Sequence, residues 1–163
     1  VDYTGVDFAP ALLALGNASG RLVQRDLSRP GALADLGRFD LVVCFSTLQH
    51  IPGRANRARL VAGMGACLSP GAHLALANWQ FVDSERQRRK IQPWSAAGIE
   101  TSEVEAGDYL LSWQRSGRGL RYVALVDGDE TQRLAAEAGL RVVAQFRSDG
   151  REGNLNLYTI LAG

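Results

Sequence analysis

Apolar and polar positions along the chain switch between the two-residue period of strands and the wider spacing of helices, and the succession predicts an α/β sheet. Leu41, Val42, Val43, Cys44 and Phe45 form an unbroken apolar run. Such a run suits a parallel strand covered by helices on both faces, so a strand is predicted over Phe39 to Phe45. It opens onto Ser46, Thr47, Gln49 and His50, past the carboxyl end, where open α/β sheets place their ligands. Upstream, strands over Tyr3 to Asp7 and Arg21 to Gln24 flank a helix over Ala9 to Leu15 that Pro10 opens and Gly16, Asn17 and Gly20 stop. Downstream, Leu60, Val61, Met64 and Leu68 fall at helical spacing in a helix from Arg54 to Leu68. Ser69, Pro70 and Gly71 break it, and a strand follows over His73 to Asn78.

The second half begins with a polar, poorly periodic stretch from Val82 to Gly107. The strand period then returns over Tyr109 to Trp113 and Leu120 to Val126, and Ser116-Gly117-Arg118-Gly119 between them signals a hairpin. Asp127 or Asp129 can cap a helix over Thr131 to Ala138, which Gly139 ends. Strands over Arg141 to Phe146 and Leu155 to Leu161 flank a turn from Ser148 to Gly153. No internal repeat or low-complexity segment interrupts this order.

Length and composition narrow the class. The 163 residues, 46% of them hydrophobic, suit a single domain with a real core. A net charge of +1 removes any global field toward nucleic acid or membrane, so a basic surface has to be local. Lys90 is the only lysine among 18 basic residues. Genome composition explains that bias, though arginine also suits phosphate contacts. Cys44 and Cys67 sit in apolar surroundings at no metal-ligand spacing and read as reduced core residues, and no metal site is expected. With no signal peptide or long apolar span in view, the expectation is a cytoplasmic enzyme without a membrane partner.

Three segments carry a family resemblance. FDLVVCFSTLQHIPG, Phe39 to Gly53, resembles the fourth-strand segment of class I S-adenosylmethionine-dependent methyltransferases, which ends in a pattern close to "LHHI". LSPGAHLALANW resembles the family's "L-x-P-G-G-x-L" passage into strand five, with Ala72 in place of the second glycine. The closing helix and hairpin resemble its sixth and seventh strands. The resemblance implies a Rossmann-like methyltransferase sheet with helices on both faces, an antiparallel last strand, and a hairpin insertion after strand five, residues 82–126, acting as a substrate lid. One part of the pattern is missing: no G-x-G-x-x-G or G-x-G-x-G occurs, and Gly63-Met64-Gly65 lies inside a helix. In the family's order the chain begins at strand two, leaving a slot whose neighbours would expose backbone groups at about 1–3 kcal/mol for each one buried unsatisfied. The expectation is therefore a domain incomplete at its N-terminus, with Val1 preceded by further residues.

The same resemblance assigns cofactor roles. Asp7 would accept hydrogen bonds from the ribose hydroxyls of S-adenosyl-L-methionine, and Asp26, with the backbone of Leu27, would meet the adenine. The residues also allow a helix cap at Asp7, a turn cap at Asp26, and either adenine packing or core filling at Phe8. Carbonyls of Phe45 and Ser46 would accept from the cofactor's ammonium group. His50 is the candidate catalytic residue, as general base or orienting donor, with a structural histidine fixing the Ile51-Pro52 turn as the other reading.

For the methyl acceptor, Gly107-Asp108, Trp113, Arg121-Tyr122, Leu134 to Gly139, and Asn154 or Asn156 resemble, in order, the methyltransferases of modified wobble uridines in tRNA. The Asn-Trp pair expected near the end is Asn-Leu here. Trp113, Arg121, Tyr122, Arg147 and Arg151 are the substrate-binding candidates, with Arg115, Arg118 and the run Arg86, Arg88, Arg89 and Lys90 nearby. The acceptor is then a modified uridine in tRNA or a small molecule. The absent glycine-rich loop leaves open a third reading, a non-catalytic methyltransferase-like subunit.

Overall fold

The computed structural model describes residues 2–16, 20–114 and 118–163. In chain order its elements are β1 (Thr4–Asp7), α1 (Pro10–Ala14), β2 (Arg21–Gln24), β3 (Phe39–Phe45), α2 (Arg54–Ala66) and β4 (Leu68–Trp79). They continue with α3 (Glu85–Arg88), β5 (Ile91–Gln92), β6 (Asp108–Gln114), β7 (Arg118–Ala124), α4 (Gly128–Glu137), β8 (Arg141–Ser148) and β9 (Asn156–Ala162).

The main sheet has the order β3-β4-β9-β8, with β3 and β4 parallel and β9 antiparallel to both of its neighbours. β4 starts earlier than the Ser69-Pro70-Gly71 signal predicts. Phe39 pairs with Leu68 and Leu41 with His73, so residues 69–72 bulge out of the ladder. Pro70 has no N–H to offer a strand partner, and a bulge is where a sheet tolerates it. α4 also starts a turn earlier than predicted, because Asp127 caps it through a 2.8 Å bond from the Glu130 N–H.

Helices α2 and α4 cover one face of this sheet. Leu60, Val61 and Met64 from α2 and Leu134 from α4 pack with Leu74, Leu76 and Leu161 into the main core. Each such fully buried side chain contributes about 1.5–3 kcal/mol. On the other face Leu41, Val43 and Phe45 remain 59%, 55% and 50% exposed. The unbroken apolar run of β3 thus finds helical cover on one side among the described residues, because β3 is an edge strand and α2 and α4 both lie opposite. Phe45 meets Tyr158 edge-on, and Phe146 stacks on the same ring.

β1 and β2 form a separate parallel pair. Gly20 is required there, since a Cβ would stand 2.3 Å from the Tyr3 carbonyl oxygen. The third sheet, β5-β6-β7, is antiparallel, with the short β5 in the polar stretch after β4 and the β6–β7 hairpin beyond it. Its pairing gives the hairpin two unlike faces. Leu111 and Val123 pack with Phe81 in a second small cluster, whereas Tyr122 and Ala124 turn to the main core.

Candidate active site

The carboxyl end of β3 turns sharply. Ser46 takes a positive φ of 54°, a conformation costing a non-glycine residue about 1–2 kcal/mol. Its N–H is held by the Ala77 carbonyl at 2.8 Å. The kink sends the chain into a 3-10 turn, Leu48–His50, anchored by Leu48 in the core. Gln49 is fully buried, and its Oε1 accepts from the Trp79 N–H at 2.6 Å, tying the turn to the end of β4.

His50 stands between two regions. On one side it lines a crevice of about 590 Å³ with Phe8, Gln24, Arg25, Asp26, Ser28 and the Ile51-Pro52 turn. On the other its Nδ1 lies 3.0 Å from the Tyr122 carbonyl of β7. A carbonyl only accepts, so Nδ1 carries the proton and Nε2 keeps its lone pair. Burial lowers the His50 pKa and Arg121 adds to that, against the opposing effect of the Tyr122 hydrogen bond. The ring is therefore neutral at pH 7.

Three sequence-predicted residues, Phe8, Asp26 and His50, meet at the crevice. Phe8 is 72% exposed, leaving a ring face open to a planar ligand rather than filling the core. Asp26 makes the turn that was its alternative reading: Oδ1 accepts from the Ser28 N–H and hydroxyl at 3.0 and 2.6 Å, and Arg29 approaches Oδ2 at 3.4 Å. The Ser28 bonds lower its pKa, so it is a carboxylate with lone pairs to spare. Asp7 likewise caps locally, through a 2.8 Å bond from the Ala9 N–H. Leu27 packs against the main core and lines a different hollow of about 400 Å³, beside α2. The side chain of Phe45 lies on the open face of the sheet.

The predicted substrate residues separate. Arg121 sits over the rings of Trp79 and Trp113, 5.6 and 5.5 Å from their centroids, and Trp113 is 44% exposed. Among the described residues no carboxylate pairs with Arg121. Tyr122 points the other way: its hydroxyl donates to Asp108 at 2.7 Å and accepts from Arg57 at 2.9 Å. Arg147 is engaged with Asp83 at 3.0 Å and with the Asn154 carbonyl. Arg151 is exposed on the last turn, and Arg115 lies outside the described residues. In the other basic run, Arg89 pairs with Glu85 and Arg88 donates to the Val82 carbonyl.

Trp79 and Arg57 complete the site without having been singled out for it, and they are joined by Asp108, read in sequence only as part of the Gly107-Asp108 motif. Trp79 ends β4, at the carboxyl edge of the sheet beside the end of β3, which is a usable signal. Arg57 and Asp108 meet from elements 51 positions apart in sequence, and no local pattern announces such a pair. Among the described residues, no cluster of three or more His, Cys, Asp or Glu side chains could hold a metal, and no helix is long and apolar enough to cross a membrane.

A family profile described as a methyltransferase domain matches residues 1–145. No curated protein matches the chain significantly. Solved structures do. An S-adenosylmethionine-dependent methyltransferase from Clostridium acetobutylicum ATCC 824 superposes with a TM-score of 0.69 at 10% identity, over 97% of this chain and 73% of that one. One from Methanosarcina mazei gives 0.68 at 16% identity, over 98% and 81%. A glycopeptide N-methyltransferase complexed with S-adenosyl-L-methionine gives 0.63 at 19% identity, over 98% and 76%.

Proposed function

The chain belongs to the methyltransferase-domain family, an enzyme family whose methyl donor is S-adenosylmethionine, and from that premise we propose that it methylates a small-molecule acceptor held beside His50. The observation that carries this reading is the position of His50, with its Nε2 lone pair, between the crevice of Phe8 and Asp26 and the group formed by Trp79 at the end of β4 with the hairpin residues Arg121 and Trp113.

When bound, S-adenosylmethionine supplies an electrophilic methyl group on a sulfonium. The chain's residues then have three tasks. Phe8 covers the adenine and the Asp26 carboxylate accepts from the nucleoside, with Asp7, the backbone of Leu27 and the carbonyls of Phe45 and Ser46 completing the cofactor contacts. Arg121, spread between two indoles and, among the described residues, without a carboxylate partner, recognises an anionic group on the acceptor, with Tyr122 behind it. His50 Nε2 takes the proton that the nucleophile loses, while alignment of nucleophile and methyl group supplies most of the rate. A glycopeptide N-methyltransferase among the structural neighbours acts on an acceptor outside nucleic acid.

A second reading, a modified uridine in tRNA, draws on the exposed Trp113 beside Arg121 as a base-stacking surface. It asks more of the basic side chains. Arg151 is open, but Arg147 is committed to Asp83 and Asn154. Incubation with methyl-labelled S-adenosylmethionine and either total tRNA or a small-metabolite extract separates the two. Label in the small-metabolite fraction supports the first reading. Label in tRNA, with binding that weakens steeply as salt rises, supports the second.

A further inference from the structure

We infer that Tyr122 is a positioning residue for His50: its backbone carbonyl holds the imidazole in the Nδ1–H form, and its hydroxyl, locked between Arg57 and Asp108, fixes where that carbonyl stands. The inference rests on the reading of His50 as proton acceptor.

The contact begins with sheet topology. β7 is an edge of the lid sheet β5-β6-β7, so its outward carbonyls have no strand partner, and the Tyr122 carbonyl meets His50 Nδ1 at 3.0 Å. The Tyr122 side chain passes to the opposite side of that contact, into a buried polar cluster. There the hydroxyl donates to Asp108 Oδ1 at 2.7 Å and accepts from Arg57 Nη1 at 2.9 Å. The same Nη1 donates to the Ile51 carbonyl at 3.1 Å, in the residue that follows His50. One guanidinium group thus grips both Tyr122 and the chain leaving His50.

The cluster is built to hold position. The Arg57 and Asp108 side chains are each 5% exposed and lie 3.8 Å apart, with Glu105 3.4 Å from Arg57 at the rim. Charges removed from water keep their partners because any departure leaves a buried charge uncompensated. Burial and the Asp108 bond push the Tyr122 hydroxyl pKa up, so it stays a donor throughout the working range. The cluster meets the crevice lining at the Tyr122 carbonyl on His50 and at Arg57 on the Ile51 carbonyl, so both of its contacts bear on the His50-Ile51 turn. The charged groups facing the imidazole are Arg121 on β7 and, across the crevice, Arg25 and Asp26 after β2, with neutral Trp79 packed edge-on from β4.

The chain has two histidines, and His73 lies exposed on β4, which makes a clean internal control. Nitrogen NMR on histidine-labelled full chain reads tautomer and titration midpoint for both. Wild type should show His50 as the Nδ1–H form. In Tyr122→Phe, which keeps the ring and leaves the Arg57–Asp108 pair in place, His50 should move to the Nε2–H form that a free imidazole prefers, and its midpoint should fall further below the ordinary histidine value, because the Tyr122 carbonyl is the contact that favours the protonated ring. His73 should not change. Asp108→Asn, as a second variant, should shift His50 in the same direction. An unchanged tautomer and midpoint in both folded variants would overturn the inference. A shifted tautomer with unaltered methyl transfer supports the positioning and overturns the catalytic role of His50. Absence of S-adenosylhomocysteine binding in wild type would overturn the methyltransferase reading, whatever the histidine does.

Discussion

His50 lines the crevice on one side and bonds the Tyr122 carbonyl of the hairpin on the other, so in the proposed function it joins cofactor and acceptor. Its protonation state therefore decides more than its own contact. Burial lowers its pKa in the folded chain, so on acidification the unfolded chain takes up the proton first. The stability this site contributes is present above the ordinary histidine pKa of about 6.5 and is lost as pH falls toward the lowered folded value. Methyl transfer should follow the same limb, holding through neutral pH and failing on acidification once Nε2 is protonated. Replacement His50→Gln should cut transfer by about 10²–10⁴-fold, the usual weight of a general base, while S-adenosylhomocysteine affinity measured by calorimetry is retained. Equal transfer by the variant would return His50 to a purely structural role. The histidine was legible in sequence because it follows an apolar strand at a carboxyl end. Its tautomer was not, since the carbonyl that sets it lies 72 residues further along the chain.

At the scale of elements, α2, α4 and the β6–β7 hairpin decide how well the site is held. α4 packs behind the sheet and its start depends on one cap, the Asp127 side chain accepting from the Glu130 N–H. Asp127→Ala should cost about 1 kcal/mol in urea unfolding, with the slope unchanged. A change below a few tenths of a kcal/mol would mean that packing alone sets the helix start. Strands, helices and their order were readable because caps, glycines and apolar spacing are local signals. The start of β4 was misread for a physical reason: Pro70 and Gly71 look like a break, yet the ladder resumes across them through a bulge. The grouping of Trp113, Arg121 and Tyr122 was also too simple. Adjacent residues of a strand face opposite ways, so Arg121 joins Trp79 and Trp113 while Tyr122 joins Arg57 and Asp108.

Across the whole molecule, two separate sheets and a hairpin converge on the carboxyl ends of β2, β3 and β4. The β1–β2 pair brings Phe8 and Asp26, β3 brings Ser46 and His50, and the β6–β7 hairpin brings Arg121 and Tyr122. This convergence, together with the family match, is the ground on which the crevice is proposed as the cofactor site and the hairpin side as the acceptor site. Calorimetric titration of the full chain with S-adenosylhomocysteine tests it most directly. Saturable one-to-one binding is expected, weakened at least about tenfold when Phe8→Ala and Asp26→Ala remove a stacking face and a hydrogen-bonded carboxylate, each worth about 1–3 kcal/mol. A well-folded chain that gives no heat, or one whose binding is untouched by both substitutions, would contradict it.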